Sequence, residues 1–305
     1  MTLFKDWRDS AVGLALTGMS WRKVAKELGI SKSTCSDFLR KYFAEQKEQA
    51  VVQDSKGPKI LVLDIETRYM LLEGWGLFNQ NFSVDQIAED WSILSYSAKW
   101  FDSENVMYSD VSEKTEDALL EELHELLDEA DFAIAHNGRR FDLKKIRARM
   151  ITRGFKPYSP VRIIDTLEIC KKEFAFTSNK LLYLTRLLCK NNQKQDHELF
   201  AGHKLWQAFL KGDPLAIKCM REYNVMDVVS LQELYELIAP WSSTLPVFEV
   251  YNDNISLDDW EECGYYHTNL AKYQKYKHKV TGQYRRGKTN LLTKEERMNL
   301  LANIV

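Results

Sequence analysis

The chain alternates between two apolar rhythms. From Lys59 the run KILVLDI is continuously apolar and long enough for one buried strand. WSILSYSAKW and NVMYSD follow, rich in aromatic and β-prone residues, and predict two more strands. TEDALLEELHELLDEA then switches to a helical period, with leucines on one side and acids on the other. DFAIAH reads as a strand, DLKKIRARMITRG as a helix ending at Gly154, and VRIID as another strand. Beyond it the pattern is largely helical to about Ile238, through Asp213-Pro214, a cap residue followed by proline at the first helical position. Three early strands followed by strand–helix alternation predict an α/β fold, a mixed sheet with helices packed on it.

The first 50 residues are helical throughout. In WRKVAKELGISKSTCSDFLRKYF, Val24, Ala25 and Leu28 form the inner face of one helix. Gly29 permits a turn, Ile30 packs beneath it, and Ser31 caps the next helix. Cys35, Phe38 and Leu39 of that second helix point inward. Lys32, Ser33, Thr34, Ser36 and Arg40 are left outside, as the recognition helix of a helix-turn-helix requires. Residues 1–57 hold ten bases and seven acids, a net charge of +3 that favours nucleic acid over the alternative, a helical bundle that binds protein. Residues 46–58 are polar and end in Gly57-Pro58, which suits a linker. Residues 1–50 therefore form an expected nucleic-acid-binding domain, residues 58–240 the α/β domain, and residues 245–305 a tail.

Composition adds limits. Hydrophobic residues are 45% and charged residues 28% of the 305, ordinary for a globular protein. No apolar run approaches the ~20 residues needed to span a bilayer, and MTLFKDWRDS has no signal-peptide pattern. The five cysteines are odd in number and scattered, none in a CxxC pair, which indicates a reducing, cytoplasmic setting and speaks against disulfides. The net charge of −2 hides a segregation. Val247 to Glu262 holds six acids and no base, and Cys263 to Thr293 holds seven Lys or Arg and no acid. The basic half is interleaved with tyrosines, so Lys275, Lys277, Arg285 and Arg286 are candidate phosphate contacts beside rings that stack on bases. Pairing of the basic half with the acidic half is the competing reading.

Chemistry enters with the carboxylates. Asp64 and Glu66, in LVLDIET, alternate onto one face at the end of the first strand. Two acids there are costly unless a cation lies between them, and a hard ion with oxygen ligands, Mg²⁺ or Mn²⁺, meets that need. HNGRRFD follows a strand and opens a helix, placing Asp142 near the same sheet edge, with Asn137 to fix the turn or touch substrate. YNVMD puts Tyr223 and Asp227 four apart on one helix face. An aspartate inside the apolar stretch VMDVVSL needs a partner. Four acids from three elements are what a two-metal phosphodiesterase site requires.

LDIET, NGRRFD and YNVMD, in that order, resemble the three motifs of the DnaQ-like (DEDD) 3′–5′ exonucleases of the RNase H-like superfamily, in the tyrosine (DEDDy) form. WGLFNQNFS, SILSYSAKW and DTLEICKKEF resemble its phage and bacterial branch. The likeness covers residues 58–240, about three-fifths of the chain. It implies that Asp64, Glu66 and Asp227 hold a metal carrying the attacking water. Asp64 would bridge to a second metal, which Asp142 completes or orients, and Tyr223 would position the water. His136 lies where the family places no catalytic histidine and reads as structural or substrate-facing.

The resemblance also implies a C-terminal zinc ribbon with two cysteine pairs, and CGYYHTNLAKYQKYKHKVTGQYRRG is similar to a degenerate one. Cys263-Gly264 stands for the first pair, and His278 and Thr281 stand where the second would be. These, with the remote His267, cannot supply four zinc ligands, so no structural zinc is expected. The implied function is a two-metal exonuclease releasing nucleoside monophosphates from DNA, at single-stranded 3′ ends and with duplex contact through the front domain, in a bacterial or phage-infected cell. RNA as substrate, or a DNA-binding regulator with an inert nuclease fold, are the alternatives.

Overall fold

The computed structural model describes residues 7–16, 19, 21–53, 57–76, 78–192, 199–200, 202–251 and 255–304. By internal contacts the chain divides into two compact units, residues 1–57 with 249–253 and residues 58–248 with 254–305.

The first unit contains α1 (Trp7–Leu16), α2 (Trp21–Glu27) and α3 (Lys32–Gln53). Their core is Ala11, Val24, Ala25, Cys35 and Leu39, with Leu28, Ile30 and Phe38 packed against it. Gly29 adopts a φ of 65° in the turn between α2 and α3, a left-handed value that glycine takes without cost. The Ser31 hydroxyl accepts the Thr34 N–H at 3.0 Å and so caps α3. α3 runs through Gln53, so positions 46–53, read as linker from their polarity, are helical. Of the rest of that stretch, residues 54–56 lie outside the described residues.

The second unit is a mixed α/β layer structure. Its strands and helices run β1 (Ile60–Thr67), β2 (Leu71–Leu72), β3 (Ile87–Glu89), β4 (Ile93–Trp100), β5 (Met107–Asp110), α4 (Glu116–Glu129), β6 (Phe132–Ala135), α5 (Asp142–Thr152), β7 (Arg162–Asp165), α6 (Thr166–Glu173), α7 (Leu181–Leu188), α8 (Lys204–Leu210) and α9 (Pro214–Ile238). Then come β8 (Trp260–His267), β9 (Lys272–His278), β10 (Tyr284–Arg286) and α10 (Lys294–Asn299). The central sheet has the order β5-β4-β1-β6-β7. β4 and β5 are antiparallel to their neighbours, and β1, β6 and β7 are parallel. β2 and β3 form a small separate pair and β8 to β10 a three-stranded antiparallel sheet. Among the described residues no helix is long and apolar enough to cross a membrane.

Both faces of β1 are covered, as a central strand with a continuous apolar run demands. Leu61, Leu63 and Ile65 pack with Leu119, Leu123, Leu127 and Ile146 of α4 and α5. Val62, on the other face, packs with Leu184 of α7 and with Val228 and Leu231 of α9. α9 starts as its sequence predicts, with the Asp213 carboxylate accepting the Leu215 N–H at 2.9 Å and Pro214 in the first turn.

Glu116 ties three elements together. Its carboxylate accepts the Ile93 N–H at 2.9 Å, Arg149 Nε at 2.7 Å and the Arg153 guanidinium at 3.2 Å, while a second Arg149 nitrogen completes a bidentate pair. The Glu116 side chain is 10% exposed and that of Arg149 15%. Burial pushes the Glu116 pKa up, but the bonds from Arg149, the Ile93 N–H and Arg153 outweigh it and leave the pKa below the usual range. A depressed carboxylate pKa stabilises the fold above the unfolded-state value and loses that contribution as pH falls through the folded one. Glu116→Ala should therefore cost about 3 kcal/mol at neutral pH, because it strands buried Arg149. The cost should shrink in denaturant titrations carried down through the carboxylate range. A pH-independent difference between parent and variant would show that the ion pair is not its source.

Candidate metal centre

Strand alternation sets the site. The face of β1 that carries Val62 also carries Asp64 and Glu66, and it is the face α9 crosses. Against β4, Asp64 stands opposite Ser97 and Glu66 opposite Ser95. α9 brings Tyr223, Asn224 and Asp227 on adjoining turns, spaced so that they share one side of the helix. One ligand oxygen each from Asp64, Glu66 and Asp227 lies within 4.8 Å of the others. Among the described residues this is the one group of three His, Cys, Asp or Glu side chains so gathered. Asp227 is 2% exposed and the other two are half-buried. The donor set is all carboxylate oxygen and crowded with like charge, which fits a hard divalent cation such as Mg²⁺ or Mn²⁺.

Asn224 fixes this geometry and escaped the sequence reading. It is fully buried, donates through Nδ2 to Asp64 Oδ2 at 2.6 Å, and accepts from Ser95 Oγ at 3.1 Å. From α9 it thus orients one carboxylate of the cluster, and is itself held by Ser95 on the neighbouring strand β4. The available signal was its place in YNVMD, three residues before Asp227 on the same helix face.

Asp142 lies outside the cluster of three. It opens α5, is 3% exposed, and its Oδ1 accepts the Ile65 N–H at 3.1 Å. The parallel ladder between β1 and β6 ends at Val62, so this carboxylate takes up a strand N–H beyond the ladder's end. Burial pushes the Asp142 pKa well above the usual carboxylate range; the Ile65 N–H opposes that shift, and the charges of Asp165 and Asp227 add to it.

Asp165 is a second residue that sequence reasoning missed. At the end of β7 its carboxylate accepts the N–H groups of Asn137 at 2.9 Å, Leu167 at 3.0 Å and Arg139 at 3.1 Å. It caps α6 and clamps the HNGRRFD turn together. In that turn Asn137 has a φ of 70°, and a Cβ on Gly138 would meet the Ala135 Cβ at 2.3 Å, so only glycine fits there. Asn137 therefore shapes the turn that delivers Asp142. His136 uses both ring nitrogens, with Thr166 Oγ1 and the Asn179 carbonyl each at 2.9 Å, which gives it a structural role. Tyr223 is half-buried, its ring edge-on to Trp206 at 6.2 Å between centroids.

The remaining candidates lie elsewhere. On α3, Lys32, Ser33, Thr34 and Arg40 are exposed and Ser36 is half-buried. The hydroxyls of Ser33 and Thr34 are hydrogen-bonded to Ser31 at 3.0 and 2.7 Å, and Arg40 pairs with Asp37 at 3.7 Å. Lys275 and Lys277 are in β9, Arg285 and Arg286 in β10. Cys263 donates its thiol to the Lys275 carbonyl at 3.6 Å, and His278 Nδ1 accepts the Thr281 N–H at 3.1 Å.

The family model of the RNase_H superfamily matches residues 82–239, more than half of the 305-residue chain. That span holds Asp142, Tyr223 and Asp227 but begins after β1. Among solved structures, a similar chain is the family B DNA polymerase from the hyperthermophilic archaeon Pyrobaculum calidifontis, with 16% identity and a TM-score of 0.44. The match covers 64% of this chain and 27% of that one, so this chain spans just over a quarter of the polymerase's length. No protein with a curated description matches the sequence. The superfamily and the carboxylate cluster together support a nuclease that uses divalent metal and takes nucleic acid as substrate. The chain belongs to the RNase_H superfamily.

Proposed function

We propose that the chain is a metal-dependent 3′–5′ exonuclease of the DEDDy type, hydrolysing DNA from its 3′ end and releasing nucleoside monophosphates. The observation that carries the reading is the convergence of Asp64, Glu66 and Asp227, with ligand oxygens within 4.8 Å of one another. When bound, divalent cations supply Lewis-acid polarisation of the scissile phosphate and acidify water at neutral pH. Asp64, Glu66 and Asp227 would hold them, and Asp142 would support the site from the start of α5. Asn224 keeps the Asp64 carboxylate turned toward the cluster. Tyr223, one helical turn before Asp227, offers its hydroxyl to orient the attacking water. The polarity and the choice of DNA rest on the ordered motifs LDIET, NGRRFD and YNVMD.

The front unit is proposed to hold duplex DNA through the exposed side of α3, with Lys32 and Arg40 on phosphates and Ser33, Thr34 and Ser36 near the groove. Its charge of +3 over residues 1–57 supports this. With Ser33 and Thr34 engaged at the cap, most of the affinity falls to the two cations.

The deciding experiment follows 5′-labelled DNA and RNA strands with and without Mn²⁺. Stepwise shortening of DNA with release of mononucleotides is expected; internal cleavage, or degradation of RNA alone, would contradict the proposal. In the same assay Asp227→Asn and Glu66→Gln should abolish hydrolysis. Without metal, both variants should melt no lower than the parent, since each removes one of the crowded charges. Near-parental activity in either would sink the metal-site assignment.

Tyr223→Phe should slow hydrolysis while leaving the Mn²⁺ concentration dependence close to the parent's, because only the hydroxyl is lost. A shift in metal dependence as large as that of Glu66→Gln would contradict its role.

Replacing Lys32 and Arg40 together with glutamine should weaken duplex binding and lower the salt slope by about 1.8, two phosphate contacts' worth. An unchanged slope would assign α3 to a protein partner instead.

A further inference from the structure

The C-terminal sheet has two faces, and a bulge decides which residues share each. The register along β8 slips between Glu262 and Tyr265, where Gly264 has a φ of 92°. Glu262 stands opposite Tyr276 and Tyr265 opposite Gln274, so Cys263 and Gly264 together oppose Lys275 alone. Residues directly opposed across a pair of strands share a face. Trp260, Tyr265 and Arg285 therefore share one face, through their partners His278, Gln274 and Tyr276. Tyr266, Tyr273, Lys275, Lys277, Tyr284 and Arg286 share the other.

The two faces differ in what their rings already hold. On the first, Arg285 lies 4.7 Å over Trp260, His278 meets that ring edge-on at 5.0 Å, and Lys272 lies 3.9 Å over Tyr265. On the second, Tyr266 is 47% and Tyr284 59% exposed. Among the described residues Tyr266 has neither a ring nor a cation against it. Lys275 stands 5.6 Å from the Tyr284 ring, and Arg286 extends the Tyr273 ring with its own plane at 4.0 Å. Among the described residues none of Lys275, Lys277 and Arg286 has a carboxylate partner. Of the strand residues on this face one is acidic, Glu261, opposite Lys277.

We propose that this second face is a docking surface for a single strand of DNA, with bases stacked on Tyr266 and Tyr284 and phosphates held by Lys275, Lys277 and Arg286. Open rings flanked by cations complement a strand whose bases are unstacked and whose backbone is anionic. A duplex hides its base faces from such rings. The choice of DNA over RNA rests on the exonuclease reading above; binding itself needs no hydrolysis. Arg285, which the basic run groups with Arg286, lies on the opposite face and is not part of the surface.

The test is fluorescence anisotropy with the full chain in EDTA, using a labelled oligo-dT of about 20 nucleotides, long enough to cover one such site. Replacing Tyr266 and Tyr284 together with alanine should weaken binding about tenfold or more, and replacing both with phenylalanine should not. Tyr265→Ala, on the opposite face, should change affinity less than about twofold. Glutamine at both Lys275 and Lys277 should lower the salt slope by about 1.4. Parental affinity in the double-alanine variant would overturn the proposal. So would an equal loss in Tyr265→Ala, tighter binding of duplex than of oligo-dT, or binding of oligo-rU without oligo-dT. A parent that binds oligo-dT through these tyrosines yet hydrolyses nothing upholds the surface and sinks the nuclease reading. One that degrades DNA but is indifferent to the tyrosines does the reverse.

Discussion

Like-charge repulsion among the carboxylates at the end of β1 is the constraint around which the second unit is arranged. Asp64, Glu66 and Asp227 hold oxygens within 4.8 Å of one another, with Asp227 almost fully buried. Three negative charges at that spacing drive apart unless the scaffold is stiffer than the repulsion or a cation is added. Stiffness comes from the apolar side chains that bracket the acids. Val62 on β1 and Val228 and Leu231 on α9 are fully buried in one cluster, so strand and helix cannot separate without opening it.

A second layer of acids is managed differently. Asp142 and Asp165 are nearly as buried as Asp227, and both are met by backbone N–H groups. Ile65 donates to Asp142, and Asn137, Arg139 and Leu167 donate to Asp165. Amide dipoles fixed by secondary structure stabilise a charge without adding a flexible cation that would compete for the carboxylates of the cluster. Asn224 applies the same principle to Asp64 through a side-chain amide. Neutral donors thus position Asp64, Asp142 and Asp165 without a cation competing for the cluster.

Much of this was legible because it is periodic. Two-residue alternation predicted that Asp64 and Glu66 share a face, and four-residue spacing predicted the same for Tyr223 and Asp227. The apolar runs from KILVLDI to VRIID marked the strands of the central sheet. What escaped depends on distance along the chain or on one residue of register. Asn224 acts on Asp64 from 160 positions away, and Asp165 acts on a turn 28 residues before it, so neither role shows in a local pattern. The pair β2 and β3 is exposed and two to three residues long, with little apolar rhythm to announce it. The polar end of α3 looked like linker because composition there opposes helix packing, while the helix simply continues from its capped start. The bulge at Cys263-Gly264 inverts the alternation of β8, and plain alternation would put Tyr265, not Tyr266, on the face of Lys275.

The carboxylate frame also constrains the rest of the chain. The carboxylates of Asp64, Glu66 and Asp227 would repel a polyanion at any distance over which their field is unscreened, about 8–10 Å near physiological salt. Divalent cations offset part of that charge locally but supply little grip on a strand extending away from them. Affinity for a long strand must then come from cations placed outside that range, on elements whose own geometry does not depend on the site. Two stretches carry an excess of base over acid: the first 57 residues, with ten bases and seven acids, and Cys263 to Thr293, with seven bases and no acid. Asp64, Asp142 and Asp165 are met by neutral donors, so no lysine or arginine is needed to position them. A chain whose net charge is only −2 thus combines an acidic cluster on β1 and α9 with separate stretches of net positive charge along the sequence.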